Sequence, residues 1–252
     1  MKLALVTGGM KRIGAAISAR LALDGWALAL HCGHETKPEP VLAVVLGAHR
    51  TRWHAFQTDL ADDKARAGLL PAIMRHFGVP PTLIVNNAAL FDDDDAASVS
   101  ASTLARHHAV NVTAPVLLAT QLAELMTEGD RGCIINILDQ RIAQPHSDQL
   151  SYTLSKQALS AATATLARSL APKLRVNAVA PGLTMATPDY TPAQLERLAA
   201  LMPLGTLPGP QAIADAVAYL ANAAHVTDQT IFVDGGAHMV SFERDFIHLM
   251  QA

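Results

Sequence analysis

The stretch IINILDQRIAQPHSDQLSYTLSK, residues 134–156, indicates both how the chain folds and where its chemistry lies. It continues an apolar run, Cys133 to Leu138, of the kind found in a strand buried on both faces of a sheet. The run ends at Asp139, which places a carboxylate at the strand's carboxyl end, the edge where open α/β sheets bind ligands. A helical pattern follows and puts Tyr152 and Lys156 four residues apart on one helix face.

The Tyr152–Lys156 pair has a chemical interpretation and an ordinary one. An ammonium group beside a phenol favours the phenolate, so the pair predicts a Tyr152 pKa below its usual value. A phenol tuned in this way can donate or accept a proton near neutral pH. Tyr-x-x-x-Lys is also an ordinary pair on a helix surface, and the rest of the chain has to decide between the two.

The composition predicts a protein with a large core and no electrostatic attraction to polyanions. Half of the 252 residues are hydrophobic and the formal net charge is −3, which argues against nucleic-acid and anionic-membrane partners. Cys32 and Cys133 fall in apolar, strand-like runs and are predicted to be buried thiols rather than a disulfide. Neither a secretory signal nor an apolar run near the roughly 20 residues of a membrane span is found, so we expect a soluble, cytoplasmic protein.

Apolar runs alternate with helical patterns along the whole chain. Predicted strands cover residues 2–6, 26–31, 52–57, 82–85, 133–138, 174–180 and 231–234. This alternation predicts an α/β fold: one domain, residues 1–252, with a doubly wound Rossmann fold and a seven-stranded parallel sheet flanked by helices. The Pro-rich stretch at about 183–210 follows a strand end and is predicted to be a mobile substrate lid.

A glycine-containing turn, Thr7-Gly8-Gly9-Met10-Lys11-Arg12-Ile13-Gly14, joins the first strand to an Ala-rich helical pattern. Glycines let the backbone approach a phosphate, and the start of a helix offers free N–H groups and the positive end of a dipole. The turn is therefore predicted to bind a dinucleotide, although Arg12 occupies a position that is usually small.

The end of the second strand favours NADP(H) over NAD(H). Folds that select NAD place an acid there to bind the ribose 2′-hydroxyl, but this strand ends at His31. Lys11, Arg12 and His31 supply positive or protonatable groups that suit a 2′-phosphate, whereas Glu35 acts against that preference.

Polar residues also follow the third, fourth and sixth strands. Asp59, before Leu60, is predicted either to accept from an adenine amine or to cap the helix at 61–77. Asn87 and Ala88 can lie close to a cofactor ribose, and Phe91 places an aromatic ring beside the cleft. The acid run at residues 92–95 is predicted to be a solvated loop rather than a metal site.

With Thr7-Gly8, Asn86-Asn87-Ala88, Asn111, Tyr152-x-x-x-Lys156 and Pro181-Gly182, the chain resembles the short-chain dehydrogenase/reductase family over nearly its whole length. The resemblance implies that Tyr152 is the proton donor. It implies that Lys156 holds the nicotinamide ribose and lowers the tyrosine pKa, and that Asn111 anchors a water near Lys156. Asn111 has an ordinary interpretation as well, as a satisfied core amide in the long helical region 98–126.

Two departures from that family make the resemblance more specific. Asp139 stands where most members have a serine, and Arg12 where most have glycine or alanine. Both are similar to the pteridine reductase branch, which includes bacterial dihydromonapterin reductases, and Phe91 matches an aromatic that stacks on the pterin ring there. The resemblance thus implies a substrate site of Arg12, Phe91, Asp139 and Tyr152, in which the carboxyl group can relay a proton to a ring nitrogen.

The predicted function is an NADPH-dependent reductase of a dihydropterin, such as dihydromonapterin or dihydrobiopterin, with dihydrofolate as a weaker substrate. Two alternatives stay open: a carbonyl reductase of the same family acting on a ketone or 3-oxoacyl thioester, and a catalytically silent NADP-binding regulator. The resemblance to the family also implies a homotetramer, in which the helical regions 98–126 and 150–171 pair across a two-fold axis. No metal is expected. The predicted cofactor-binding residues are Thr7, Gly8, Gly9, Lys11, Arg12, Ile13, Gly14, His31, Asp59, Leu60, Asn87, Ala88, Asn111, Tyr152, Lys156, Pro181 and Gly182.

Overall fold

The computed structural model describes residues 1–185 and 190–249. Seven parallel strands form one sheet in the order β3-β2-β1-β4-β5-β6-β7, so the strand order reverses between β1 and β4. The strands are β1 (Leu3–Val6), β2 (Ala27–Cys32), β3 (Trp53–Gln57), β4 (Leu83–Asn86), β5 (Gly132–Ile137), β6 (Leu174–Pro181) and β7 (Thr230–Val233). The predicted α/β fold, a seven-stranded parallel sheet flanked by helices, is confirmed.

Helices cover both faces of the sheet, which explains why the strands are apolar without alternation. The helices are α1 (Arg12–Leu23), α2 (Pro40–Ala48), α3 (Asp63–Phe77), α4 (Ala101–His108), α5 (Ala114–Leu125), α6 (Leu150–Ser169), α7 (Pro192–Leu201), α8 (Pro210–Asn222) and α9 (Phe246–Leu249). One apolar cluster joins α1, α2 and α8 to the sheet, and a second joins α3, α5 and α6 to the other face. β1, β2 and β4 are buried along their whole length between these layers.

The long helical region predicted at 98–126 is not one regular helix. α4 and α5 are joined by a segment with π-helical bonding, Ala109–Thr113, and Asn111 lies inside it. A π-type insertion shifts the side chains that follow it around the helix axis, and such insertions are frequent at functional sites. The residue periodicity could not show this change of pitch, because both parts of the region keep an apolar face.

Two N-terminal caps differ from the predictions. α3 is capped by Asp62, whose carboxylate accepts from the Ala65 N–H at 2.7 Å, so Asp59 is not its cap. In the acid run predicted to be solvated, Asp93 and Asp95 are exposed, but Asp94 is buried and accepts hydrogen bonds from the backbone N–H and hydroxyl of Ser151. The reason is that Gln149, at the start of α6, makes no side-chain cap, and the free N–H groups need an acceptor from elsewhere.

The predicted lid contains α7, and residues 186–189 of that prediction lie outside the described residues. Leu198 and Met202 pack against Phe242 and Phe246, which follow the last strand. The described part of the lid and the C-terminal segment, residues 242–246, thereby form a wall above the carboxyl edge of the sheet. The mobility of this lid stays a prediction.

Cys32 and Cys133 are buried and free of any disulfide, as predicted. Burial raises the pKa of the Cys133 thiol to about 11, so this group is a packing residue rather than a nucleophile. Within the described ranges, no helix is both long and apolar enough to cross a bilayer.

Candidate active site

A cavity of about 850 Å³ opens at the carboxyl edge of the sheet, where the strand order reverses. This is the position at which doubly wound sheets bind ligands. It brings together most of the predicted site residues: Gly8, Lys11, Arg12, Ile13, Gly14, His31, Asp59, Leu60, Asn87, Ala88, Phe91, Asp139, Tyr152, Lys156, Pro181 and Gly182. Thr7, Gly9 and Asn111 do not line the cavity, and Thr7 and Asn111 support its walls from behind.

The glycine turn after β1 is held by backbone contacts that leave no room for side chains. A Cβ at Gly14 would lie 2.0 Å from the Gly8 carbonyl oxygen, and Gly8 itself has a φ of +61°. The Thr7 hydroxyl accepts from the Asn87 and Ala88 N–H groups at 2.9 and 3.0 Å. The Asn87 amide in turn donates to the Thr7 and Gly8 carbonyls at 2.9 and 3.1 Å, so the turn is fastened to the end of β4.

His31 has a different role from the one predicted. It is buried, its Nδ1 accepts from the Gly8 N–H at 3.2 Å, and its Nε2 lies 2.9 Å from the Thr58 carbonyl oxygen. These two bonds assign the proton to Nε2 of a neutral ring, and burial lowers the His31 pKa. The prediction that His31 offers positive charge to a phosphate is therefore wrong, because Nδ1 holds the glycine turn and Nε2 is bonded to the residue that follows β3.

Lys11 and Arg12 form an exposed, positive rim beside the turn, and two acids reduce its charge. Lys11 makes an ion pair with Glu35 and holds the Glu35 pKa below its ordinary value. Arg12 has a φ of +54°, and its backbone N–H donates to Glu39 at 3.0 Å. Left-handed backbone favours glycine, which accounts for the small residue expected here and makes the arginine notable.

The second half of the cavity is centred on a contact between Asp139 and Tyr152. The Tyr152 hydroxyl donates to Asp139 Oδ2 at 2.9 Å. The other carboxylate oxygen of Asp139 accepts from the Arg141 N–H at 2.9 Å and caps a single 3₁₀ turn. Asp139 is thus a cap with one oxygen and a partner of the phenol with the other.

The electrostatics of Tyr152 differ from the prediction. Burial, followed by the charge of Asp139, raises the Tyr152 pKa well above its ordinary value, whereas the sequence predicted a decrease. The sequence prediction contained neither the burial of the phenol nor its bond to the Asp139 carboxylate. Lys156 donates to the Ile137 carbonyl at 2.7 Å, and its ammonium lies 5.5 Å from the Tyr152 ring centroid. Burial also lowers the pKa of Lys156 to about 8.

Phe91 and Asn111 shape the cavity from the loop after β4. Phe91 packs edge-on against Tyr152 with 4.6 Å between ring centroids, yet 53% of it is exposed. Asn111 accepts from the Leu90 N–H at 2.8 Å and donates to the Leu90 carbonyl and the Ser155 hydroxyl at 3.0 and 2.9 Å. Its amide joins this loop to α6, and the predicted water near Lys156 stays a prediction.

Three further residues of the site, Arg141, Gln149 and Asp245, were not predicted. Arg141 is buried, donates to Gln149 at 2.9 Å and makes an ion pair with Asp245 from the C-terminal segment. No motif marks these residues. The only signal was an arginine two positions after Asp139, in a turn that had already been assigned to the site. Across the described ranges, no group of three or more His, Cys, Asp or Glu side chains could hold a metal ion.

Comparisons with known proteins agree with this geometry. Residues 8–238 match the family model described as enoyl-(acyl carrier protein) reductase. The structure is similar to the alternative dihydrofolate reductase FolM from Brucella canis in complex with NADP, with 36% identity, 95% of each chain covered and a TM-score of 0.84.

Two similar sequences carry names from acyl-thioester chemistry. One is the (3R)-3-hydroxyacyl-CoA dehydrogenase of Mus musculus, 34% identical over 94% of this chain and 96% of that protein. The other is the 3-oxoacyl-(acyl-carrier-protein) reductase FabG of Pseudomonas aeruginosa, 32% identical over 94% and 98%. With a family match across nearly the whole chain and the predicted residues gathered around one cavity, the chain belongs to the short-chain dehydrogenase/reductase family of oxidoreductases.

Proposed function

We propose that this chain is an NADPH-dependent reductase of a dihydropterin. The observation that carries the proposal is the 2.9 Å hydrogen bond between Tyr152 and Asp139, because a carboxylate at this place adds a proton carrier beside the phenol. Dihydromonapterin and dihydrobiopterin are the proposed substrates, with dihydrofolate as a weaker one. The FolM relatives, named as alternative dihydrofolate reductases, support the same substrate class.

The cavity fits a dinucleotide. The bare backbone around Gly8 and Gly14 admits a phosphate, and the side chain of Lys11, the residue before α1, does not cap that helix. Lys11 and Arg12 would meet the 2′-phosphate at the rim, Asp59 and Leu60 the adenine, and Ala88, Pro181 and Gly182 the ribose and nicotinamide. When bound, NADPH supplies the hydride. The NADP complex of the Brucella canis relative supports this choice of cofactor.

The open part of the cavity suits a flat heterocycle. The exposed face of Phe91 offers a stacking surface, which contributes roughly 0.5–1.5 kcal/mol beyond the buried area. The Arg12 guanidinium can donate to a ring oxygen and to a cofactor phosphate together. Arg12 occupies backbone that favours glycine, so its retention there needs a function for the side chain, which the pterin supplies.

Reduction of a C=N bond places the hydride on carbon and a proton on nitrogen. The raised pKa of Tyr152 keeps its phenol protonated at neutral pH, so it holds the proton to be donated. Asp139 contacts the phenol, so after the phenol has given its proton to the substrate nitrogen, the carboxylate can take up a proton from solvent and pass it to Tyr152. Below about pH 8 the Lys156 ammonium stabilises the negative charge that appears on Tyr152 when the proton leaves.

A second candidate is the reduction of a 3-oxoacyl thioester, which the names of the similar mouse and Pseudomonas aeruginosa proteins support. That reaction needs neither a carboxylate at 139 nor an arginine at 12. A catalytically silent, NADP-binding regulator is the third possibility, and the assembled Asn111, Tyr152 and Lys156 argue against it.

NADPH oxidation separates the three possibilities in one panel. We expect turnover with 7,8-dihydromonapterin or 7,8-dihydrobiopterin, slower turnover with dihydrofolate and little with an acetoacetyl thioester. Fast turnover of the thioester alone would contradict the pterin proposal. If NADPH binds and no substrate is reduced, the regulator becomes the better account.

We also infer a homotetramer. The outer surfaces of α4, α5 and α6 expose Leu104, Leu117 and Leu154 at 38, 42 and 45%, an apolar surface suited to contact with a second copy. Small residues on α6, among them Ala158, Ala161, Ala162 and Thr165, permit close helix approach. A monomeric mass by light scattering at micromolar concentration would contradict this assembly.

A further inference from the structure

A buried cation connects the catalytic pair to the end of the chain. The Arg141 side chain is 4% exposed, and its Nε lies 3.9 Å from Asp139 Oδ1. Its guanidinium carbon lies 5.7 Å from the Tyr152 ring centroid and 5.5 Å from that of Phe91. On its far side the guanidinium pairs with Asp245, so one group lies between a catalytic carboxylate and the C-terminal segment, residues 242–246.

The C-terminal segment is itself fastened to the loop between β5 and α6. The Asp245 N–H donates to both carboxylate oxygens of Asp148, at 2.8 and 3.0 Å. The Ser147 N–H and hydroxyl donate to the Glu243 carbonyl at 3.1 and 2.8 Å. These bonds bring Asp245 to the wall of the cavity, although it lies more than a hundred residues from Asp139 along the chain.

The charges explain why this cation matters for geometry. Asp139 and Asp245 both lie against the Arg141 guanidinium, and without it their negative charges would repel in a region of low dielectric. Removal of one member of a buried, paired group is costly because the remaining charge has no partner. Asp139 would keep its bond to the backbone N–H of residue 141 but would lose the guanidinium charge, which leaves the carboxylate free to turn toward water and away from Tyr152.

We propose that Arg141 is a positioning residue that fixes Asp139 against Tyr152, and that the C-terminal segment fixes Arg141 through Asp245. The proposal rests on the proton-donor roles given to Asp139 and Tyr152 in the proposed function. It makes the C-terminal segment a working part of the site. Loss of the ion pair then acts on the chemical step more than on cofactor binding.

Four variants test this: Arg141→Met, Arg141→Lys, Asp245→Asn and the double variant Arg141→Met with Asp245→Asn. Arg141→Met should lower kcat about tenfold to a hundredfold, the loss typical of misplaced catalytic groups, with the NADPH Kd nearly unchanged. Arg141→Lys should recover part of the loss, because it keeps the charge without the planar fork. Asp245→Asn should cost less than Arg141→Met and add nothing to it in the double variant.

Arg175→Met is the matched control. Arg175 is a half-buried arginine that donates to the Leu220 and Val226 carbonyls at 3.0 Å each and does not line the cavity. Its loss should lower thermal stability and leave kcat unchanged. If Arg141→Met and Arg175→Met lowered kcat equally, or if the double variant showed full additivity, Arg141 would be a structural residue only and the proposal would fail.

A substrate-free measurement keeps this result separate from the pterin proposal. Arg244 is exposed, and trypsin cleavage after it reports release of the C-terminal segment. Mass spectrometry should show cleavage there several-fold faster in Arg141→Met than in wild type or Arg175→Met; equal rates overturn the proposal. Asp245→Asn is left out of this comparison because it changes the residue directly after the cleaved bond. Kinetic constants are measured with whichever of dihydropterin and acetoacetyl thioester the wild type reduces. If the wild type reduces neither, the proposed function is refuted, and the trypsin assay still tests whether Arg141 holds the C-terminal segment. Should Arg141→Met fail to fold, Arg141→Lys and Asp245→Asn decide.

Discussion

The two halves of the cavity are built in different ways. Around the glycine turn, the Thr7 hydroxyl and the Asn87 side-chain amide bond to backbone N–H and carbonyl groups, and the packing leaves no space for a larger residue at Gly14. Around Asp139, the walls are charged side chains that come from β5, α6 and the C-terminal segment.

This difference separates what the family has in common from what makes this chain particular. The backbone of the glycine turn recognises a phosphate of the dinucleotide, a cofactor group that members of this fold have in common. Few residue types are therefore compatible with the positions of the turn. The Asp139 half depends on side-chain chemistry, so one substitution there can change the reaction. Substitutions in the two halves should therefore fail in different ways: in the first by losing the cofactor, in the second by losing the chemical step.

The largest effect is expected from Tyr152→Phe, which removes only the phenolic oxygen in the second half. Loss of a positioned proton donor typically costs about 10²–10⁴-fold, so kcat should become nearly unmeasurable. NADPH binding, followed by fluorescence titration, should stay close to wild type because the ring and its contact with Phe91 remain. A fall in kcat of less than about tenfold would show that another group donates the proton.

Asp139→Ser should have the next largest effect and should depend on the substrate. The serine hydroxyl can still accept a hydrogen bond from the Arg141 N–H, as Asp139 does, so the cap of the 3₁₀ turn is kept while the carboxylate is lost. We expect kcat on a dihydropterin to fall about a hundredfold and the C=O substrate to gain in relative rate. KM should change less, since Phe91 and Arg12 remain in place.

Kinetic constants for both substrate classes in wild type and in Asp139→Ser provide the measurement. Asp59→Ser is a useful control, because it removes another cavity carboxylate that caps a turn, here through the Ala61 N–H at 2.9 Å, without touching Tyr152. Unchanged dihydropterin turnover in Asp139→Ser would identify Asp139 as a structural cap and remove the main support for the pterin proposal.

The same division explains what the sequence could predict. All seven strands were placed within one or two residues, because strands buried on both faces are read directly from apolar runs. The glycine turn and the Tyr152–Lys156 pair followed from local spacing. The charge state of His31 did not, since its partners Gly8 and Thr58 are 23 and 27 residues away in sequence.

Long-range partners also account for the other errors. The raised Tyr152 pKa depends on burial and on the charge of Asp139, neither of which the four-residue spacing of Tyr152 and Lys156 contains. Arg141 was missed because its partner Asp245 lies 104 residues away. Local patterns give the elements and the motifs, whereas the protonation states are set by tertiary packing.

Gly14→Ala tests the first half of the cavity directly. Its Cβ would lie 2.0 Å from the Gly8 carbonyl and 2.7 Å from Asn87, and neither backbone nor a hydrogen-bonded amide can move without opening the turn. We expect NADPH affinity to fall about tenfold, because the opened turn no longer presents its N–H groups to the phosphate. The Tm should fall as well, because the added Cβ strains the packing of the turn. Gly47→Ala, in α2, is the control, because nothing lies within 4 Å of the added Cβ. This variant should leave NADPH affinity unchanged and stabilise the fold slightly.

The smallest expected effect concerns the charged rim, where the two halves meet. Wild type should bind NADPH more tightly than NADH, because Lys11 and Arg12 lie beside the glycine turn and no acid ends β2. Glu35 opposes this preference because it holds the Lys11 ammonium in an ion pair and adds a negative charge to the rim proposed to bind the 2′-phosphate. Glu35→Gln should therefore raise NADPH affinity about twofold to fivefold, the range of exposed ion pairs, and leave NADH affinity nearly constant.

Glu128→Gln, which removes an exposed acid from the loop after α5, controls for net charge. The gain in NADPH affinity of Glu35→Gln should also shrink at high salt. If the NADPH-to-NADH ratio stayed constant in Glu35→Gln, the rim would not read the 2′-phosphate, and selectivity would have to come from Arg12 alone or from the backbone of the turn.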